Sequence, residues 1–135
     1  MTSSPRNIVF VCQKNGGKSQ MAAALLRSVA GPEVRVTSAS TKPGTALNQQ
    51  SVDSLAEIGV SVGDEHPKQL TPEMIDAADL IVVLGAEARV PETPGVVIET
   101  WITGEPAERG IEGMDRMRLV RDDIHARVEA LHARV

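Results

Sequence analysis

Residues 8–11, Ile-Val-Phe-Val, form an unbroken apolar run between a polar start and a polar, glycine-containing stretch from Cys12 to Ser19. A run that does not alternate with polar residues is the pattern of a strand buried on both faces. The period then changes. Met21, Leu25 and Val29 recur every four residues, which predicts a helix that Gly31-Pro32 ends. Val34 to Thr37 reads as a second strand and Thr41 to Thr45 as a loop. Ala46 to Ile58 returns to helical spacing, with Leu47, Val52, Leu55 and Ile58 near one face and Gly59 placed to cap it. Thr71-Pro72 opens a further short helix with proline at its first position. The segment from Ala78 to Leu84 contains Leu-Ile-Val-Val-Leu, the strongest buried-strand signal in the chain, and Val96 to Ile98 is a shorter fourth strand. Glu99 to Gly113 reads as loop, and the last helix carries Met117, Val120, Ile124, Val128, Leu131 and Val135 in one stripe.

Apolar strands alternating with helices imply an α/β fold, a parallel sheet covered on both faces, and residues 1–135 read as one domain. Composition narrows the function classes. With one Phe, one Trp and no Tyr, the core is aliphatic and platforms for stacking bases are lacking. A net charge of -4 without a local basic run argues against nucleic acid as a partner. The polar start and the short run after it predict neither a secretory segment nor a membrane span, so a cytoplasmic, thiol-reducing setting is expected. The single cysteine excludes an intrachain disulfide.

That cysteine opens the stretch Cys12-Gln13-Lys14-Asn15-Gly16-Gly17-Lys18-Ser19, between a buried strand and a helix. Ligands of open α/β sheets bind at such strand ends, and a helix start offers unpaired N–H groups and a partial positive charge to an anion. Asn15, Gly16 and Gly17 can adopt the positive-φ conformations that turn successive N–H groups inward, and Lys18 adds a full charge. The same field favours thiolate over thiol at Cys12. The alternative is a buried core thiol beside a plain turn. A nucleotide-binding loop is a poorer match: Gly17-Lys18-Ser19 fit it, but Cys12 stands where its first glycine belongs and no apolar strand ends in a metal-binding Asp.

These residues resemble the low-molecular-weight protein tyrosine phosphatase family, whose signature is C-x5-R-[ST] after the first strand. Within it the chain is similar to the single-cysteine arsenate reductases that pass arsenate to a small thiol such as mycothiol. The likeness runs through Val-Phe-Val-Cys12, Asn15 to Ala22, a Ser38-Ala39 turn after the second strand, Thr41-Lys42-Pro43, Glu105-Pro106 and Met117 to Asp122. It implies a four-stranded parallel sheet in the order 2-1-3-4. It also implies Cys12 as nucleophile, backbone N–H groups from Gln13 to Lys18 around arsenate or phosphate, Asn15 bracing the loop, and Ser19 donating to the thiolate. The family's general acid, an Asp before Pro, falls on Glu105.

Lys18 departs from the signature Arg: a point charge replaces a planar fork, which loosens the orientation of the anion. Lys14 stands where small residues are usual and faces either the anion or solvent. Losing the fork and lengthening the acid both harm a phosphatase more than an arsenate reductase, and Trp101 alone could wall a phosphotyrosine slot. With one cysteine, turnover calls for an external low-molecular-weight thiol as co-substrate and a glutaredoxin-like, mycoredoxin-type reductant, with no bound cofactor and no metal. A phosphatase of relaxed specificity and a catalytically silent oxyanion-binding protein are the competing readings. His66, His125 and His132 lack the clustered ligands of a metal site. Asp122, Asp123 and the arginines around them read as a solvated helix face, Met114 and Met117 as gap fillers, and Trp101 as packed beside the loop carrying Glu105.

Overall fold

The computed structural model describes residues 6–13, 17–31, 33–63, 65–85, 88–103 and 110–134. In chain order the elements are β1 (Arg6–Cys12), α1 (Lys18–Val29), β2 (Val34–Ser40), α2 (Gln49–Ala56), α3 (Pro72–Ala77), β3 (Leu80–Leu84), β4 (Val97–Trp101) and α4 (Gly113–His132). The four strands form one sheet in the order β2-β1-β3-β4, every pair parallel, as the resemblance implied.

Successive side chains of a strand point to opposite faces. Accordingly Ile8, Phe10 and Cys12 of β1 join one apolar layer with α1 and α4, while Val9 and Val11 join the other with Ala39, Ile81, Val83 and the α3 residues Met74 and Ile75. The stripe read from α4 is the stripe that is buried: Val120, Ile124, Val128 and Leu131 are all sealed from solvent. Met21, Leu25 and Leu26 of α1 face them with no exposed surface. Burying each such side chain stabilises the fold by roughly 1.5–3 kcal/mol.

Several boundaries differ from the sequence expectation, each for a local reason. α2 starts at Gln49 because Asn48 Oδ1 accepts the Ser51 N–H at 3.0 Å, leaving Leu47 outside the helix. Ile58 lies past its end and is exposed, and the chain turns at Gly59 with φ +78°. Val29 is exposed as well. On a helix of 3.6 residues per turn, a strict four-residue repeat advances by about 40° per step, so the Met21–Leu25 line has rotated off the core by Val29. β2 runs to Ser40, so Ser38-Ala39 is strand and not a turn. Glu99 to Trp101, expected as loop, completes β4: at a sheet edge the strand needs no apolar run, and its Glu99 and Thr100 are polar. The expectation for Thr71-Pro72 holds, with Thr71 Oγ1 accepting the Met74 N–H at 3.2 Å.

Candidate active site at the end of the first strand

β1 delivers Cys12 to the carboxyl end of the sheet, in register with Ser40 of β2. The Cys12 side chain is 9% exposed, and its Sγ lies 2.9 Å from Oγ of the fully buried Ser19. The chain therefore leaves the strand at the sulfur and returns to it in the first turn of α1. Lys18 is the first residue of that helix, and its first turn holds no acidic side chain. The opening N–H groups of a helix have no partner four residues back, so this end presents donors and a partial positive charge to whatever sits beside the sulfur.

The expected site residues divide into two groups. Cys12, Gln13, Gly17, Lys18 and Ser19 are brought together at this strand–helix junction. Lys14, Asn15, Gly16 and Glu105 lie outside the described residues. One expectation is corrected: Gly17 has φ -135°, not a left-handed conformation, and it serves as the N-terminal cap of α1, its carbonyl accepting the Met21 N–H at 2.9 Å.

Neighbouring segments fix the junction from the side. The Lys42 N–H donates to the Gln13 carbonyl at 2.9 Å, tying the start of the loop to the turn after β2. Ser40 donates its N–H to the Lys68 carbonyl and accepts from Leu70 N–H, each at 2.8 Å. Gln20 Nε2 reaches the His66 carbonyl at 3.0 Å. Below that segment Glu65 pairs with Arg27 and Lys68. Burial opposes charge on Glu65, but the Lys68 hydrogen bond and the Lys68 and Arg27 charges outweigh it and hold the carboxyl below its ordinary range. Side-chain composition gave no signal for these tethers, because most run through backbone atoms.

Trp101 is buried at the end of β4, its ring tilted against Phe10 at a centroid distance of 5.8 Å. Its indole N–H donates to Glu99 at 2.7 Å. The Arg134 guanidinium holds the Glu99 carboxyl below its ordinary range, against some burial and with help from the indole. Met117 is buried as expected. The helix face around Asp122 and Asp123 is not wholly solvated, since Arg121 is 8% exposed and bonds to Ser54 and Glu57 of the α2 region. Among the described residues no three or more His, Cys, Asp or Glu side chains group as a metal site. No helix among them is long and apolar enough to cross a membrane.

A parallel 2-1-3-4 sheet with a cysteine, five intervening residues, a cation and a serine at its first strand–helix junction is the arrangement that the family resemblance implied. The chain belongs to the low molecular weight phosphotyrosine protein phosphatase family, matching its pattern over residues 7–135. Within that family it is similar to the arsenate reductase of Brevibacillus brevis, 32% identical over 127 residues that cover 92% of each chain. It is also similar to that of Bacillus licheniformis, 30% identical with 93% of this chain and 94% of the relative covered. The solved structure of a thioredoxin-dependent arsenate reductase from Corynebacterium glutamicum superposes with a TM-score of 0.84 at 30% identity. It is the longer protein: the match covers 99% of this chain and 63% of that one. A tyrosine phosphatase of Erwinia amylovora shares the fold, with a TM-score of 0.76 at 22% identity, 100% of this chain and 96% of that one being covered.

Proposed function

We propose that the protein is an arsenate reductase that works by thiol transfer. Cys12 attacks arsenate as the thiolate; an S–As bond forms, an As–O bond breaks and hydroxide leaves, with arsenic still pentavalent. A low-molecular-weight thiol, mycothiol in our reading, then attacks the arsenic, displacing Cys12 and carrying the arsenic away as a conjugate. Reduction follows outside the protein. A glutaredoxin-like thiol attacks the sulfur of the conjugate, the S–As electron pair passes to arsenic as it leaves trivalent, and a mixed disulfide remains.

The observation that carries this reading is the Cys12 Sγ–Ser19 Oγ contact of 2.9 Å at the start of a helix, in a sequence with one cysteine. A hydroxyl so placed donates to the thiolate and holds it pointed at the anion, while the first amides of α1 and the Lys18 charge stabilise the oxygens. Glu105 is the residue we assign to protonating the leaving hydroxide. Similarity to proteins named arsenate reductases supports arsenate as the substrate in this reading, and Lys18, lacking a planar fork, suits the less demanding departure of hydroxide. These 135 residues hold one cysteine and so form no internal disulfide, which supports an external thiol as the acceptor of the arsenic.

Purified protein mixed with arsenate and mycothiol should yield the thiol–arsenate conjugate, detected by mass spectrometry. Turnover with thioredoxin alone would contradict the transfer route, and faster hydrolysis of p-nitrophenyl phosphate than of any arsenate reaction would favour the phosphatase. In a separate alkylation assay Ser19→Ala should slow the reaction of Cys12 with iodoacetamide near neutral pH by about tenfold, the size of one charge-assisted hydrogen bond. An unchanged alkylation rate would remove Ser19 from the mechanism.

A further inference from the structure

β2 ends on Ser40, a residue sealed from solvent whose backbone is fully engaged. Its N–H donates to the Lys68 carbonyl, and its own carbonyl accepts the Leu70 N–H and, at 3.2 Å, the Gln69 side-chain amide. Its Oγ, by contrast, has no hydrogen-bond partner among the described residues. Leaving a buried hydroxyl without a partner is costly, and native structures do so seldom and for a reason. Three buried hydroxyls share this condition, those of Ser38, Ser40 and Thr103, and Ser40 is the one in register with Cys12.

The register supplies the reason. Side chains alternate between faces along a strand, and neighbours in register share a face. Cys12 joins the apolar layer of α1 and α4, and so do Val34 and Val36 of β2, whereas Ala39 joins the opposite layer. Ser40, two steps along from each of the even positions before it, therefore points into the layer that holds the sulfur. Adjacent strands lie about 4.8 Å apart, and Oγ and Sγ each stand one bond beyond Cβ, so rotation about χ1 carries the hydroxyl to within reach of the sulfur. A neutral thiol is a weak acceptor, whereas a thiolate accepts charge-assisted hydrogen bonds. A hydroxyl at this place gains a strong partner when the sulfur carries charge.

We propose that Ser40 is a second hydroxyl donor to the Cys12 thiolate, a positioning residue that approaches from β2 as Ser19 does from α1. The inference rests on the proposed function in one respect, that Cys12 reacts as the thiolate. Donors from two elements fix the direction of the sulfur as well as its charge. They serve both halves of the reaction, before the thiolate attacks arsenic and again when the external thiol displaces it. Ser40 lies outside the residues that carry the family resemblance, which include Ser38 and Ala39 just before it.

The test is Ser40→Ala in the full chain. Alkylation of Cys12 by iodoacetamide is followed against pH with no anion present, and the ultraviolet absorbance of the thiolate is recorded alongside. The midpoint of both curves should move up by about half a unit to one unit, or about threefold to tenfold less thiolate on the rising part, the scale of a hydrogen bond to a charged group. The Ser19 hydroxyl, the start of α1 and the Lys18 charge are the same in both proteins, so the difference reads the Ser40 hydroxyl. In turnover, kcat for the conjugate should fall while KM for arsenate changes little. The thermal midpoint should equal or exceed that of the wild type, because the substitution removes a buried polar group with no structural partner.

Coincident alkylation curves for variant and wild type would overturn the inference. So would a lower thermal midpoint, which would give the hydroxyl a structural partner, or an effect on KM alone, which would assign it to the anion. If the wild-type cysteine itself reacts as an ordinary thiol, the reading of the loop falls with it; if the wild type reacts as a thiolate and the variant matches it, only the role of Ser40 falls.

Discussion

Replacing Cys12 by serine is expected to abolish formation of the thiol–arsenate conjugate, a loss of about a thousandfold or more in turnover. A serine hydroxyl is a weak nucleophile without an adjacent base to take its proton, whereas the thiolate attacks unaided. Removing the nucleophile from a site that works as a unit removes nearly all of its chemistry, leaving only what binding contributes. The exchange should leave the fold alone. Cys12 has 9% of its surface exposed, its neighbour Ser19 Oγ can bond to a hydroxyl as it does to the sulfur, and oxygen is smaller than sulfur. Phosphate should therefore still bind to Cys12→Ser, measured by calorimetry, while conjugate production measured by mass spectrometry is lost. Bound anion without chemistry places Cys12 at the reacting atom. Full turnover by the serine variant would mean that the reaction bypasses this sulfur, and the thiol-transfer mechanism would go with it.

The contrast between what the sequence signalled and what it hid follows from how each interaction is encoded. The parallel sheet was legible because its strands are written as apolar runs, whereas its order was expected from the family resemblance alone, and the structure shows both. The α4 stripe was legible for the same reason: Val120, Ile124, Val128 and Leu131 repeat at helical spacing and are buried. β4 was read short since an edge strand mixes polar Glu99 and Thr100 with its apolar residues and carries no run to find. The pairing of Cys12 with Ser19 was expected from the resemblance, and the structure gives it a distance. The partners that hold the junction in place were not legible. The Lys42 N–H on the Gln13 carbonyl and the Gln20 amide on the His66 carbonyl join positions far apart in the chain through backbone atoms, which every residue type possesses. Arg121 was hidden in another way. It belongs to a dense run of charges in α4, and a charge pattern alone does not reveal which arginine is buried.

Arg121 provides the second large effect, on stability. Its Nη1 donates to the Ser54 carbonyl at 2.8 Å and to Glu57 at 2.9 Å, and its Nε donates to Asp122 at 2.9 Å, with the residue 8% exposed. Arg118, one turn earlier on the outer side, grips the same Glu57 through Nε and Nη2, the latter at 2.7 Å. Together they fasten the end of α2 to α4, and the start of α2 lines a small cavity with Gly17 and Lys18 of the loop. Arg121→Ala strips away a buried cation, leaves the Ser54 carbonyl short of a donor and opens a gap where the side-chain stem packed. The expected loss is about 2–3 kcal/mol, or a fall of roughly 10 °C in the thermal midpoint for a domain of this size. Arg121→Met keeps the stem and removes the charge, so it should fall by less. Arg118→Ala lies at the surface and should cost less again. The clasp also has a pH signature. The Arg118 hydrogen bonds, with those of Arg121, hold the Glu57 carboxyl below the usual 4.5 despite some desolvation. A carboxyl depressed in the folded state lends stability above its unfolded value and loses it as pH falls through the folded one. The wild type should therefore lose this support as pH drops below about 4.5, and the gap between wild type and Arg121→Ala should narrow over the same interval. Urea titrations of both proteins at neutral pH and in acid check both statements. An Arg121→Ala variant as stable as the wild type at neutral pH, or a gap that widens in acid, would show that Arg121 and Glu57 do not hold these helices together.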